Sequence, residues 1–342
     1  MTNAKVDKQD SQVDFIKLFK PDRILEEQLD CEDYTENLIE DDNFLAGHTD
    51  KKFVRANSKA LQSFFAEVNQ KSSNYITHFD NVLKEKIVPK KISMLKKICK
   101  KDDPNYLIHS PDRESSACKV LNYMECPTPY NFAVKNKSET YLMSIDFISE
   151  NEQFYSFSDF DLKWNYDIGK MLLQIENLLN TFEYPSNTQR VNNIEKIKED
   201  FMMSYLTRTT LIHDGDFHFG NIGFLYNKKD KYIKLINFDL EFPMRDKMDS
   251  WYYGHSLKII RKNYRNVYEK FINKVSAIEQ DITLEKLEKC FFHDHTNHYS
   301  FMLQLSRNCE HIMRMEKLYK VKDRVFNFLR FNKNNTNSDR GM

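Results

Sequence analysis

A chain of 342 residues is long enough for two lobes of ordinary domain size, and its hydrophobic content of 40% supplies enough material for a core. The 51 basic and 51 acidic residues cancel, so no overall charge favours nucleic acid or an anionic membrane as a partner. No apolar run approaches the roughly 20 residues that cross a bilayer, and the N-terminus lacks the apolar segment of a secretory signal. We therefore expect a soluble cytoplasmic enzyme, or one delivered to a host cytosol, with no membrane span and no nucleic-acid partner.

The cysteines and glycines limit the kinds of site that the chain can form. The six cysteines lie far apart without CxxC spacing, so we expect free thiols rather than a zinc site or a disulfide framework. Of the seven glycines, Gly47 alone precedes position 169. A glycine-rich turn that lets the backbone approach a nucleotide phosphate is therefore absent from the first half of the chain.

The pattern in residues 1–104 predicts a polar and helical elaboration that could also hold part of a small lobe. Residues 44–55 could form a hairpin, because Gly47 and Asp50 supply turn chemistry between apolar stretches. From 58 to 101 apolar residues recur at helical spacing, which predicts a helical insertion with a basic C-terminal end.

After Pro104 the pattern becomes strand, helix, strand, strand, and we assign 105–148 to one small-lobe core. The predicted elements are a strand at 106–108, a helix opened by Ser110 and running to Met124, and strands at 130–134 and 140–147. Residues 149–330 are mainly helical, with apolar faces along 160–182 and 193–211. Residues 331–342 form a polar tail too hydrophilic to pack.

The segment 213–221, HDGDFHFGN, followed by an apolar strand at 232–238, has the residues of a phosphoryl-transfer site. Asp216 supplies a carboxylate that can orient and deprotonate a hydroxyl. Asn221, five positions on, and Asp239, after the strand, supply oxygen ligands for Mg²⁺ on nucleotide phosphates. The pattern thus predicts a catalytic loop followed by a metal-binding carboxylate.

The strings LIHDGDFHFGNIGFLYN and KLINFDLEF resemble the HipA-like toxin and effector kinases, from about Tyr106 to Phe242. The resemblance implies an α+β, two-lobe protein-kinase-like fold, here with an N-terminal helical elaboration. It also implies an ATP- and Mg²⁺-dependent kinase acting on a Ser or Thr hydroxyl of a protein substrate. In this family Asp216 would be the general base, His218 would support the loop, and Asn221 and Asp239 would hold the metal.

The same loop also resembles the aminoglycoside and choline kinases, which phosphorylate small molecules. In them His-Gly-Asp precedes the shared His and Asn, whereas here Asp214 separates His213 from Gly215. Their metal Asp would fall on Asn237, whose amide lacks the charge that binds Mg²⁺ tightly. The register that uses Asp239 needs fewer exceptions.

A cation for the phosphates is difficult to find in the small lobe. In kinases a strand Lys pairs with a Glu on the following helix, and Glu114 is a candidate for that Glu. The predicted strand 106–108 leads instead into His109, which is largely neutral at pH 7. Either His109 serves, or a cation comes from elsewhere, or ATP binding is weak or lost and the chain is a pseudokinase module. The alternative cations are Arg113, Lys52 and Arg55.

Two further interpretations stay open. A rival alignment places the small-lobe strand at 53–55 and the helix Glu at Glu67. Asp146, near the end of the strand 140–147, could contact the ribose or the hinge, although surface polarity would also explain it.

Overall fold

The structure is a computed structural model of mixed α and β composition. It describes residues 14–20, 23–25, 32–33, 50–57, 91–98, 110–135, 140–145, 147–149, 151–165, 167–240, 250–291 and 297–338. The predicted strand 106–108, His109, Glu67 and Asp146 lie outside the described residues, so the roles assigned to them stay predictions.

The larger sheet has six strands in the order β1-β5-β6-β4-β3-β2. Neighbouring strands are antiparallel except β1 and β5, which are parallel. The strands are β1 (Arg23–Leu25), β2 (Glu32–Asp33), β3 (Asp50–Asn57), β4 (Lys91–Ile98), β5 (Asn131–Lys135) and β6 (Thr140–Ile145). Four strands from the first 104 residues thus join the sheet that the sequence assigned to 105–148.

The helical prediction for 58–101 is wrong over β4. Ile92, Leu95 and Ile98 recur every three residues, as on a helix face, but β4 pairs with β3 along its whole length and with β6 from Met94 to Lys97. Hydrogen bonding on both edges outweighs a spacing preference in so short a segment. The strand lies in the interior of the sheet.

Helix α2 (Pro111–Tyr123) confirms the helix predicted from Ser110. Pro111 stands at its first turn, where the missing N–H costs nothing. The helix packs on the sheet through polar contacts, since Ser115 Oγ donates to the Asn131 carbonyl at 3.1 Å and Asn131 Nδ2 lies 2.9 Å from Cys118 Sγ. These contacts fix which face of the sheet α2 covers.

A second sheet carries the predicted site. Its order is β7-β8-β9, all antiparallel, with β7 (Glu152–Ser156), β8 (Ile222–Asn227) and β9 (Tyr232–Asn237). Strand β9 confirms the strand predicted at 232–238, whereas β7 was not predicted. Gly223 faces β7 so closely that a Cβ there would lie 2.3 Å from the Tyr155 carbonyl oxygen.

Helices surround this sheet and bury an apolar core that includes Ile175, Phe201, Phe224 and Phe271. Helix α3 is shorter than the apolar pattern at 160–182, because Asp167 caps it by accepting from Gly169 N and Lys170 N. The remaining helices are α1 (Phe15–Leu18), α3 (Ile168–Leu179), α4 (Asn187–Leu206), α5 (Ser250–Asn263), α6 (Arg265–Asp281), α7 (Leu284–Phe291) and α8 (Asn297–Ser338). Helix α8 runs through most of the predicted polar tail.

Two expectations from composition can be compared with the described residues. There, no helix is long and apolar enough to cross a membrane. Cys118, Cys126 and Cys309 are buried free thiols and Cys290 is an exposed one. Burial raises the pKa of the Cys126 thiol to about 12, which makes it unreactive.

The close approach at Gly223 gives a test of the β7–β8 pairing. We expect Gly223→Ala to lower the free energy of unfolding by about 1–3 kcal/mol, because the backbone of β7 must move to admit the methyl group. Urea denaturation measures the change. Gly169→Ala in α3 is the matched control, since its Cβ would meet only the Asp167 carboxylate at 3.2 Å. Equal losses in both variants would contradict the assigned close approach.

Candidate active site

The predicted catalytic loop follows a change in helical winding. Helix α4 ends at Leu206, and Thr207–Leu211 continue as a single π-helical turn. That wider turn contains Arg208, whose side chain is fully buried. Turns of this kind often occur where a helix must re-aim side chains at a functional site.

Arg208 connects the loop to the end of β9. Its Nε donates to Asp214 Oδ2 at 2.7 Å, and its Nη1 donates to the carbonyls of Asn221 at 2.7 Å and Phe238 at 3.3 Å. Its Nη2 donates to the Asp239 carbonyl at 3.1 Å. The guanidinium also lies 4.4 Å from the centre of the Phe217 ring. One buried cation thus contacts both segments that carry the predicted site residues.

Asp214 interrupts the small-molecule kinase pattern. Each of its two carboxylate oxygens accepts a hydrogen bond. Its Oδ2 accepts from Arg208, and its Oδ1 accepts from the backbone N–H of Asp216 at 3.1 Å. Its side chain is completely buried, so the charge needs the neutralising guanidinium. The sequence prediction missed both residues of this pair. An Arg in an otherwise apolar and hydroxyl-bearing helix end, six positions before an Asp, is the signal that could have found them.

Asp216 and Asn221 lie together. Asn221 Nδ2 donates to Asp216 Oδ2 at 2.9 Å and to the Asp216 carbonyl at 2.7 Å. The Asp216 side chain remains 40% exposed, whereas Asn221 is 6% exposed. With its nitrogen directed at Asp216, the Asn221 amide keeps its carbonyl oxygen for another ligand.

Opposing effects set the ionisation of Asp216. Burial raises the pKa of its carboxyl, but the side chains of His218 and Asn221 lower it by more, and the pKa ends below its usual value. The negative charge of Asp239 raises the pKa of Asp216 in part. Asp216 is therefore an ionised carboxylate at neutral pH.

His218 contacts Gly220 and Asp216 within the loop. Its Nδ1 accepts from Gly220 N at 2.9 Å, so in the neutral ring the proton is on Nε2, which lies 3.6 Å from Asp216 Oδ1. A Cβ at position 220 would lie 2.5 Å from His218 Cε1, so a larger residue there would displace the imidazole. The loop sequence His-Phe-Gly thus places the imidazole beside Asp216.

Aromatic packing also holds the loop in place. The Trp164 ring meets Phe217 at 5.0 Å and Phe219 at 5.1 Å, both edge to face. The Phe157 ring, directly after β7, has its centre 5.7 Å from the centre of the Phe219 ring. Because Phe217 and Phe219 flank His218, their burial fixes the backbone from which the histidine projects.

Asp239 follows β9 in a left-handed backbone conformation, with φ of 53°. Non-glycine residues adopt this region rarely, and it is a common device at functional sites. Within the described residues, no three His, Cys, Asp or Glu side chains converge on a metal-sized site. A divalent cation here would therefore depend on Asp239 together with the Asn221 amide oxygen.

Asn237 uses the N–H groups of its side chain within the protein core. It is completely buried, and its Nδ2 donates to the Pro127 carbonyl at 3.0 Å and to Ser204 Oγ at 2.9 Å. Its backbone N–H donates to the same Pro127 carbonyl at 2.7 Å. A carboxylate at this position could not donate, so the geometry disfavours the register that makes position 237 the metal ligand.

The larger sheet carries lysines that the sequence prediction did not consider for the site. Strand β4 contains Lys91, Lys96 and Lys97, and it is the last described strand before α2. The register pairs Lys97 with Leu142, and Leu142 with Ala133, which stands two residues from Asn131 on β5. Directly paired residues share a face, so position 97 is on the side that α2 covers and position 96 is on the other. Glu114 on α2 is 7% exposed.

Comparison with known proteins adds little to this geometry. No model of a known protein family matches the chain, and no curated protein is significantly similar to it in sequence. Among solved structures, the chain is similar to the proinflammatory kinase CtkA of Helicobacter pylori, with 13% identity and a TM-score of 0.40. The similarity covers 64% of this chain and 86% of the other. At this level it carries no conclusion about activity.

The role of Asn237 can be tested by a change of one atom type. We expect Asn237→Asp to lower the free energy of unfolding by at least about 1–3 kcal/mol, because a buried carboxylate would face the Pro127 carbonyl with no proton to donate. Thermal or urea unfolding measures the loss. Asn227→Asp is the matched control, since Asn227 Oδ1 only accepts, from Lys229 N and Asp230 N. A loss no larger at 237 than at 227 would refute the donor role.

Proposed function

We propose that the protein is an ATP- and Mg²⁺-dependent phosphotransferase that delivers the γ-phosphoryl group to an alcohol. The observation that carries the proposal is the placement of a half-exposed, ionised Asp216 against Asn221, with the charge of Asp239 acting on it. A carboxylate facing a hydroxyl, beside an amide oxygen and a second carboxylate, is the minimal set that positions the two reactants of phosphoryl transfer.

Asp216 would accept a hydrogen bond from the attacking hydroxyl. Because its pKa is lowered, it is a weak base, and its first contribution is to orient the hydroxyl oxygen toward the γ-phosphorus. The proton moves to Asp216 only as the new O–P bond forms and the hydroxyl becomes acidic, while the bond to the leaving ADP oxygen breaks. Asn221 and His218 hold the carboxylate in place during this step.

The oxygen donors fit Mg²⁺. The amide oxygen of Asn221 is turned away from Asp216, and Asp239 supplies a charged ligand, which suits a hard cation that takes few protein ligands and retains waters. When bound, the ion supplies positive charge that neutralises the phosphate oxygens during transfer.

A Ser or Thr hydroxyl of a protein is the proposed acceptor, and it rests on the resemblance of the loop to the HipA-like kinases. Phosphorylation of a metabolite is less favoured, because that alternative uses position 237 for the metal, where Asn237 is committed to Pro127 and Ser204. The missing glycine-rich turn favours the pseudokinase alternative, whereas the lysines of β4, on the strand before α2, favour a working kinase.

For the phosphate cation we propose Lys97, with Glu114 as its partner on α2. Position 97 is on the face that α2 covers, and Glu114 is buried in the first turn of that helix. A cation close to a buried carboxylate offsets the cost of its burial. His109, Arg113, Lys52 and Arg55 are then not needed for this role.

We expect Asp216→Asn and Asp239→Asn each to lower kcat for phosphoryl transfer by at least about 10²-fold, through loss of the proton acceptor and of the metal ligand respectively. Transfer of radiolabelled phosphate from ATP to the protein itself or to a lysate measures this. Asp230→Asn, in the turn between β8 and β9, is the matched control. If both site variants consume ATP like the wild type, the phosphotransferase assignment fails.

The two neighbouring lysines of β4 give a test of the small lobe. We expect Lys97→Met to raise KM for ATP and to lower kcat, because the phosphates lose a positive charge. Lys96→Met, on the other face, should leave both parameters within about threefold of the wild type. Steady-state kinetics over a range of ATP concentrations separates the two parameters. The reverse pattern would assign the phosphate cation to the opposite face.

A further inference from the structure

The buried Arg208 lies behind the proposed site and contacts none of its reactive atoms. Its four hydrogen bonds reach one carboxylate, in the loop, and three backbone carbonyls. Those carbonyls belong to Asn221, at the end of the loop, and to Phe238 and Asp239, after β9. The guanidinium therefore fixes the distance between the two proposed metal ligands through their own main chains.

The contact with Asp239 has a specific conformational consequence. The left-handed φ of 53° at this residue is unfavourable for an Asp unless surrounding contacts hold it. Arg208 Nη2 holds its carbonyl at 3.1 Å, and the Phe238 N–H donates to the Asn221 carbonyl at 3.2 Å. The direction in which the Asp239 side chain leaves the backbone follows from this conformation.

We propose that Arg208 is a positioning residue that sets the affinity of the site for Mg²⁺ by holding the main chains of Asn221 and Asp239 in register. The inference rests on the proposed function, and it assigns a role in metal binding to a residue outside the set that contacts metal or substrate. Asp214 keeps the guanidinium in place and passes the same constraint to Asp216 through its N–H.

A lysine at position 208 distinguishes positioning from simple charge neutralisation. An ammonium can pair with Asp214, but it lacks the planar fork that reaches Asp214, Asn221 and Asp239 together. Arg208→Lys therefore preserves the buried charge and removes the contact with Asp239. If the Arg served only to neutralise Asp214, the lysine would replace it.

The experiment is a calorimetric titration of Mg²⁺ into the full chain saturated with a non-hydrolysable ATP analogue. We expect Arg208→Lys to weaken Mg²⁺ binding by about 10- to 100-fold, the usual effect of removing a group that orients a metal ligand. Catalysis in the same variant should recover when Mg²⁺ is raised, which loss of a merely structural residue would not produce. Wild-type Mg²⁺ affinity in a folded Arg208→Lys variant overturns the inference.

Tyr268→Phe is the control for general destabilisation. It removes the buried hydrogen bond from Tyr268 to Glu316, at 2.6 Å between α6 and α8, and touches no part of the loop. Its Mg²⁺ affinity should equal that of the wild type. If the control weakens Mg²⁺ binding as much as Arg208→Lys does, the effect is one of stability, and the positioning role is refuted.

A second variant decides the matter if circular dichroism shows that Arg208→Lys is unfolded. Phe217→Leu keeps every charge and removes the ring over which the guanidinium lies. A several-fold loss of Mg²⁺ affinity in Phe217→Leu but not in Phe219→Leu, which also loosens the packing on Trp164, then supports the inference. Unchanged affinity in Phe217→Leu, or an equal loss in both variants, overturns it. If the wild type binds neither nucleotide nor Mg²⁺, the proposed function and this inference both fail. If the wild type binds normally and substitution of Arg208 leaves Mg²⁺ affinity unchanged, the inference alone fails.

Discussion

The fully buried guanidinium of Arg208 is the interaction on which the geometry of the proposed site depends. A cation removed from water is strongly destabilising unless it is paired and its donors are satisfied, and here one carboxylate and three carbonyls satisfy them. Because those acceptors come from the loop and from the end of β9, neither segment can shift without uncovering the charge. The need to keep this buried charge paired therefore holds Asn221 and Asp239 at a fixed separation.

The side chains around this cation differ in whether they donate or accept hydrogen bonds. Asn221 donates to Asp216 and so stabilises its ionised form. Asn237 donates to Pro127, a role that no carboxylate could fill. His218 accepts from Gly220, which leaves Nε2 facing Asp216. Asn221, just before β8, and Asn237, at the end of β9, therefore have different functions, and only hydrogen-bond direction tells them apart.

Strand β4 shows how a local pattern can mislead. The apolar residues of β4 fit a helix as well as a strand, and pairing with β3 and β6 decides between them. The basic end of the predicted helical insertion therefore becomes the strand before α2. We propose Lys97 in place of His109 because of sheet register, which no spacing within 91–98 encodes.

The sequence by itself determined the elements whose signals are local: the helix opened by Ser110 and Pro111, strand β9, and the spacing that brings Asp216 to Asn221. Those signals depend on neighbours a few residues apart, so periodicity and turn chemistry suffice to find them. Only the tertiary structure decided that Arg208 joins Asp214 to the chain after β9 and that β4 is a strand. Such contacts span separate segments, and their energy comes from desolvation and pairing after the chain has folded.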